Sequence, residues 1–215
     1  MTPRITAGWA GGFYLLTHVT SVVAVLLYGG PDLAGSSQLP HRTTLLTGGL
    51  LEIVLAAGVV GTSVALYPLL RGSRPGLAVG YVATRTLEAG VILVGVVALL
   101  PVVAIPGTAS SPELDAGAAH GLLLLHDWTF LLGPGLICPI NTVVLAWLLF
   151  RTRLIATWIP VLGLVGAALV AGANLGVLYG AWATQPAAAM PIFAWEVSLA
   201  LTLLVKGLRR EASPR

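Results

Sequence analysis

Long apolar stretches recur along the chain, separated by short polar segments rich in glycine, proline and charge. Six of these stretches are long enough to cross a bilayer as helices, which takes about 20 residues each. They lie at about 8–28, 44–70, 77–103, 119–150, 154–180 and 188–208. The pattern predicts an all-α membrane protein: one domain over residues 1–215, with six transmembrane helices in one bundle.

The composition supports a membrane protein over a soluble one. Of 215 residues, 57% are hydrophobic and 9% are charged, whereas soluble domains average about 25% charged residues. Too little polar surface remains to cover a soluble bundle. The first stretch is too long for a signal peptide, and no clear small-x-small cleavage site follows it. We therefore expect a multi-pass protein of a cell membrane, the inner or plasma membrane of a bacterium, with the lipid bilayer as its first partner.

The basic residues predict the orientation. Nine of the eleven lie at the two termini or in the second and fourth connections. They are Arg4, Arg71, Arg74, Arg151, Arg153, Lys206, Arg209, Arg210 and Arg215. The positive-inside rule then places both termini in the cytoplasm. The net charge of +3 reflects this topology, and no nucleic-acid partner is expected because there is no basic face or motif.

The aromatic residues near the span ends predict the same boundaries. Aromatic belts form where tryptophan and tyrosine lie at the two membrane interfaces. We expect an inner belt of Trp9, Tyr67, Tyr81, Trp147 and Trp158, and an outer belt of Tyr28, Tyr179 and Trp182.

Ionisable and polar residues interrupt all six spans at comparable depth. They are His18, Glu52, Arg85, Glu88, His126, Asp127, Asn174 and Glu196. A charge at the bilayer centre costs about 2.5–3.5 kcal/mol on insertion scales, so such residues are functional candidates by default. We predict that they form one layer, a ligand-binding or proton-binding cluster. Glu113 and His120 lie near the outer surface and are expected to be hydrated.

Arg85 and Glu88 are three residues apart and share a helix face, so each can neutralise the other. The remaining acids have no second intramembrane cation except a protonated histidine. Some are therefore expected to be protonated or open to water. Arg85 is then the candidate anchor for an anionic part of a ligand.

The fourth span carries a polar stripe. His120, Asp127, Pro134 and Asn141 are spaced by seven residues, which predicts that they share one helix face. His126 lies about 100° from Asp127 around the helix. Pro134 and Pro139 predict a tilt or kink in this span, which is longer than a bilayer requires.

The same residues also fit a structural interpretation. Arg85 and Glu88 could be a clamp to another helix, and the histidines and Asn174 could be interhelical hydrogen-bonders. Glycines four residues apart predict close helix packing. They are Gly8 and Gly12, Gly76 and Gly80, and Gly172, Gly176 and Gly180.

Several segments resemble one family of small bacterial integral membrane proteins, the domain-of-unknown-function family 4386. The segments are "RITAGWAGGFYLL", "RTLEAGVIL", "LHDWTFLLGPGLICPINTVVLAWLLFRTRLIATWIPVLGLVGA" and "WEVSLALTLLVKG". The matching residues are Arg4, Ala7, Gly8, Arg85, Glu88, His126, Ile159, Pro160, Leu162, Gly163, Glu196, Leu204, Val205, Lys206 and Gly207. The resemblance implies the six-helix fold and a candidate cluster, but no reaction.

Four functions remain open on the sequence. The favoured one is a proton-linked binder or carrier of a small molecule. Six spans are few for a transporter, and a homo-oligomer would meet this objection. The second is a metal-dependent intramembrane enzyme that uses His18, His126, Asp127, Glu88 and Glu196. The third is a haem protein with His18 and His126 as axial ligands, and the fourth is a scaffold whose polar layer only fixes packing.

No motif in the sequence calls for a cofactor, and whether the chain is an enzyme is left open. Phosphate loops, nucleophile elbows and zinc-binding HExxH motifs are absent from the sequence. The single cysteine, Cys138, excludes an internal disulfide and a cysteine-based metal cluster.

Overall fold

The computed structural model describes residues 2–36, 38–104 and 114–208, and in these ranges the regular structure is helical. The α-helices are α1 (Pro3–Tyr28), α2 (Arg42–Leu70), α3 (Pro75–Val103), α4 (Ala116–Leu132), α5 (Cys138–Thr152), α6 (Trp158–Leu178) and α7 (Met190–Val205). A π-helical segment, Gly133–Ile137, joins α4 to α5, and a 3₁₀ turn, Pro186–Ala189, precedes α7.

Six helical spans in the described residues are long and apolar enough to cross a membrane, which confirms the predicted fold class. The fourth span runs from Ala116 to Thr152 through the π-helical segment, so its helix is irregular beside the two prolines. The fifth span begins at Trp158, later than the predicted residue 154. Leu154 and Ile155 are apolar because the connection that holds them is buried in the core.

The six spans form a closed ring in chain order. Each span packs against the next one along the sequence, and α7 packs against both α6 and α1. Arg4 closes the ring at one end, where its guanidinium donates to the carbonyl oxygen of Val205 at 3.4 Å. We call this the basic end, because Arg71, Arg74 and Lys206 also lie there. Side chains from every span lie in the interior of this ring.

Glycines bring helices together, but they are not the glycines that the spacing predicts. A Cβ on Gly11 would lie 2.7 Å from the carbonyl oxygen of Ala200, so this glycine allows α1 to approach α7. Gly166 does the same for α6 against the backbone of Ile192 in α7.

The predicted glycine pairs were wrong in most cases. Open space surrounds the Cβ position at six of the seven glycines, namely Gly8, Gly12, Gly76, Gly80, Gly172 and Gly180. Gly176 is the exception, because the indole of Trp182 packs over it. Spacing by four identifies a smooth helix face, but it does not say whether that face meets a helix or lipid.

The aromatic belts need a similar correction. Trp9 and Trp158 are 57% and 60% exposed, as expected for residues that face lipid near the membrane surface. Tyr28 and Tyr81, however, are buried, at 4% and 1% exposed. These two tyrosines point into the ring and contact the polar residues described next.

Candidate functional site

The polar residues form two clusters instead of one layer. The first, which we call the Arg85 cluster, comprises His18, Arg85, Glu88, Asn141 and Glu196. The second, the His126 cluster, comprises Tyr28, Glu52, His126 and Asp127.

Distance along α2 shows how far apart the clusters lie. Thr62 contacts Arg85, whereas Glu52, in the same helix, contacts His126. Ten residues separate Glu52 from Thr62, which is about 15 Å along a helix axis. The His126 cluster lies on the side away from the basic end, where the α1–α2 connection reaches it.

Arg85 is 2% exposed and is held on several sides. Its Nη1 lies 3.1 Å from Oε2 of Glu88, and its Nε donates to Oγ1 of Thr62 at 3.2 Å. The guanidinium carbon lies 5.3 and 5.9 Å from the ring centres of Tyr14 and Tyr81, within the range of cation–π attraction. Arg85 is thus a fixed, shielded cation at the centre of the ring.

The two acids beside Arg85 differ in how well they are satisfied. Oε2 of Glu88 accepts hydrogen bonds from Arg85 and, at 2.6 Å, from Nδ2 of Asn141. Glu196 lies 3.8 Å from Arg85 Nη1 and 3.6 Å from His18 Nε2, and both distances exceed hydrogen-bond length. Among the described residues, no side-chain hydrogen bond reaches the Glu196 carboxylate. Its charge is balanced only at a distance.

His18 has a defined orientation. Its Nδ1 lies 2.8 Å from the carbonyl oxygen of Tyr14, so Nδ1 carries the proton that is donated. Nε2 points towards Glu196. A neutral imidazole carries one proton, so Nε2 is bare in the neutral form and protonated only in the imidazolium.

A cavity of about 210 Å³ lies against the Arg85 cluster. All six spans contribute to its wall, which includes Thr17, Leu55, Arg85, Pro134, Val170 and Glu196. The rest of the wall is largely aliphatic, with Phe193 beside His18 at a ring separation of 4.4 Å. Glu196, whose side chain is 15% exposed, is the most accessible of the charged groups.

The His126 cluster is packed more closely. His126 Nε2 lies 3.1 Å from Oε1 of Glu52, which is 0% exposed, and Nδ1 lies 3.3 Å from Oδ1 of Asp127. The other oxygen of Asp127 accepts the backbone N–H of Ala34 at 2.8 Å. Tyr28 packs edge-on against the imidazole. Both nitrogens of His126 and both oxygens of Asp127 therefore have partners, which tie α2, α4 and the α1–α2 connection together.

Because His18 and His126 lie in different clusters, the structure does not support a metal or haem site that uses both of these histidines. Tyr28, which packs on His126, is ten residues from His18 in α1, about 15 Å along the helix. Zinc ligands must all lie about 2 Å from the ion. Glu52 and Asp127 also contact opposite nitrogens of His126 and cannot converge on one ion. The described residues contain no group of three or more metal-ligating side chains in suitable positions.

The other candidate residues lie outside both clusters or beyond the described residues. Asn174 was predicted to bond to another helix, but its amide donates to the carbonyl oxygen of Val170 in its own helix, and it packs on Gly135. His120 is exposed. Glu113, Arg209, Arg210 and Arg215 lie outside the described residues.

Sequence reasoning missed three members of the cavity environment. Tyr14 and Tyr81 share a hydrogen bond of 2.6 Å between their hydroxyls beneath Arg85, and Phe193 lines the cavity. Tyr14 and Tyr81 each lie four residues, about one helical turn, before His18 and Arg85 respectively, and this spacing could have indicated a shared face.

Comparison with known protein families shows the family of the chain. The family described as Domain of unknown function (DUF4386) matches residues 9–207. The chain belongs to this family. The DUF4386 match includes Arg85, Glu88, His126 and Glu196, whereas Arg4, Ala7 and Gly8 precede it. No curated protein and no solved structure matched the chain.

Proposed function

We propose that this membrane protein binds a small molecule in the central cavity and carries it in exchange with a proton. The observation that supports this function best is the state of Glu196. This carboxylate lies on the cavity wall and lacks a hydrogen-bond donor among the described residues. A carboxylate that lacks a protein donor and lines a cavity can gain free energy from a ligand that donates to it.

A scaffold with a purely structural ion pair explains less of the site. Structural polar networks in low dielectric are stable when every member is satisfied. Glu88 comes closer to this condition than Glu196, because its Oε2 accepts from Arg85 and Asn141. A scaffold has no need for a second acid that faces a cavity of about 210 Å³. The cavity therefore favours binding over packing alone.

The proposed orientation has both termini in the cytoplasm of a bacterial cell and the basic end on that side. It rests on the positive-inside rule and on the position of Arg4, Arg71, Arg74 and Lys206 at one end. Single cysteines at Gly72 and Thr184 in a Cys138→Ala chain test it with an impermeant maleimide on intact cells. Labelling should reach residue 184 only, and labelling of residue 72 alone would reverse the orientation.

The binding function is tested by filling the cavity. Val170→Phe adds bulk to the cavity wall, whereas Val165→Phe adds the same bulk to the lipid-facing side of α6, where Val165 is 50% exposed. Three benzene-ring probes are used: benzyl alcohol, benzylammonium and benzoate. We expect at least one to bind the parent and Val165→Phe in nanodiscs by saturation-transfer NMR, and to bind Val170→Phe at least about tenfold more weakly. If no probe distinguishes the two variants, the cavity is not a binding site.

A further inference from the structure

We infer that the ligand is a small organic monocation whose ammonium group binds Glu196 and displaces a proton from His18. This inference rests on the proposed binding function and specifies its ligand. It reverses the expectation that Arg85 anchors an anion, and three features of the site support the reversal.

The first feature is that the cation of the site is already engaged. Arg85 is 2% exposed, its Nη1 and Nε contact Glu88 and Thr62, and two tyrosine rings cover it. Among the described residues, its Nη2 has no hydrogen-bond partner, but this atom is itself buried. An incoming carboxylate would first meet Glu196, which repels it. The group that a ligand can reach is an acid.

The second feature is the charge of the cavity environment. The titratable or charged groups around His18 are Tyr14 from α1, Tyr81, Arg85 and Glu88 from α3, Cys138 from α5 and Glu196 from α7. The lining residues from α2 and α6 are Leu55, Val59 and Val170, which carry no charge. With neutral tyrosines and thiol, one arginine and two carboxylates leave a charge of −1. One bound monocation, or one proton on His18, neutralises it.

The third feature is the size and lining of the cavity. An apolar cavity of about 150 Å³ holds benzene in another protein, so about 210 Å³ leaves room for a ring and one substituent. Leu55, Val59 and Ile192 offer an apolar wall to the body of the ligand, and Phe193 adds an aromatic ring to the lining, a group to which cations are attracted. A benzylammonium-sized molecule satisfies both parts of the wall.

The proton balance follows from the geometry of His18. Nδ1 donates to the carbonyl of Tyr14, so the exchangeable proton is the one on Nε2, which faces Glu196. When an ammonium N–H donates to Glu196, the ligand replaces the imidazolium as the positive charge beside this carboxylate. The proton on Nε2 is then released to bulk water. One monocation enters as one proton leaves, and the total charge of the site is unchanged. Such an exchange couples ligand movement to a proton gradient.

The test compares benzylammonium with its neutral and anionic counterparts, benzyl alcohol and benzoate, by calorimetry on the full chain in nanodiscs. Repeating the titration in two buffers of different ionisation enthalpy gives the number of protons released. We expect benzylammonium to bind at least about tenfold more tightly than benzyl alcohol, as one charge-assisted hydrogen bond allows, and benzoate to bind most weakly. Binding should release a proton at a pH where His18 is protonated.

Variants separate the two roles. Glu196→Gln should equalise the affinities of benzylammonium and benzyl alcohol and leave alcohol binding intact. His18→Gln should keep the preference for the cation and remove the proton release. Asp115→Asn is the matched control, because Asn is an equally good N-cap at this exposed position of α4, and it should change neither quantity. Melting in nanodiscs verifies that each variant folds.

Each outcome decides the inference. Tighter binding of benzoate than of benzyl alcohol would overturn it and return the anchor to Arg85. Equal affinities for all three probes would also overturn it, while the proposed binding function would stand. Binding of none of them would remove the function and the inference together. A preference for the cation that survives Glu196→Gln would place the ligand elsewhere.

Discussion

The Arg85 cluster and the His126 cluster contain the same types of side chain, but they differ in how closely their carboxylates contact the basic group. Each joins one basic side chain to two carboxylates inside the bundle. In the His126 cluster, both acids contact the imidazole at 3.1–3.3 Å. In the Arg85 cluster, only Glu88 is in such contact, and Glu196 lies against a cavity.

The difference shows how a membrane protein can use buried charge in two ways. A network in which the base and both acids contact one another fixes the position of its helices. The His126 cluster is of this kind, although the buried hydroxyl of Tyr28 has no hydrogen-bond partner among the described residues. A network with one acceptor that lacks a protein donor, beside a cavity, can form a further favourable interaction with a ligand. The His126 cluster is therefore expected to carry stability, and the Arg85 cluster to carry stability through Arg85 and binding through Glu196.

The largest effect is expected from Arg85→Ala. It leaves Glu88 buried and Glu196 partly buried without the charge of Arg85, which should lower the free energy of unfolding by about 3–5 kcal/mol. The double change Arg85→Met with Glu88→Met should recover part of that loss. Unfolding in mixed micelles measures all of these, with the exposed Arg74→Ala as control, expected within about 0.5 kcal/mol of the parent. An Arg85→Ala protein as stable as the control would show that the cluster does not depend on its cation.

A pair of double-mutant cycles sharpens the contrast between matched and unmatched acids. His126→Ala with Glu52→Gln should show a coupling energy in the upper part of the range of about 0.5–3 kcal/mol, because these side chains are 3.1 Å apart. His18→Ala with Glu196→Gln should show a smaller coupling, because that contact is 3.6 Å and faces the cavity. Equal couplings would remove the distinction between the clusters.

The smallest effect is expected from Asp127→Ala, which removes the acceptor for the Ala34 N–H and the longer of the two carboxylate contacts of His126. Loss of one such bond costs about 1 kcal/mol, so amide exchange of Ala34 should accelerate several-fold. Asp115→Ala is the control: it removes the acceptor for the Ala118 N–H and should accelerate exchange only at the start of α4. Hydrogen–deuterium exchange resolves the two segments. Unchanged exchange at Ala34 would mean that the connection is held by its other contacts, such as buried Leu33.

The sequence predicts the spans and the Arg85–Glu88 pair well, because both depend on local order along one helix. Apolar length is enough to identify a span, and a spacing of three residues is enough to bring two side chains of one helix together. The structure brings Arg85, Glu88 and Glu196 together as well, although nothing in the spacing of Glu196 requires it.

Two kinds of feature could not be predicted in the same way: which residues share a face across an irregular helix, and which residues of different helices meet. The stripe of His120, Asp127, Pro134 and Asn141 assumes one continuous α-helix, but the π-helical Gly133–Ile137 changes the number of residues per turn. Asn141 is buried, whereas His120 is exposed. Likewise, the division into two clusters follows from the ring of helices, and no periodicity within one span encodes it.

The shortness of α7 has a consequence for the choice of bilayer. Its 16 residues rise about 24 Å, and the 3₁₀ turn Pro186–Ala189 adds about 8 Å. The sixth span therefore just matches the roughly 30 Å thickness of a hydrocarbon core. The 29 residues of α3 rise about 43 Å, so the ring presents unequal hydrophobic lengths around its rim. In a bilayer thicker than about 30 Å, the sixth span would be matched by local thinning of the bilayer, beside the helix that carries Glu196. We therefore expect the access of water and ligands to that carboxylate to depend on the chain length of the surrounding lipids.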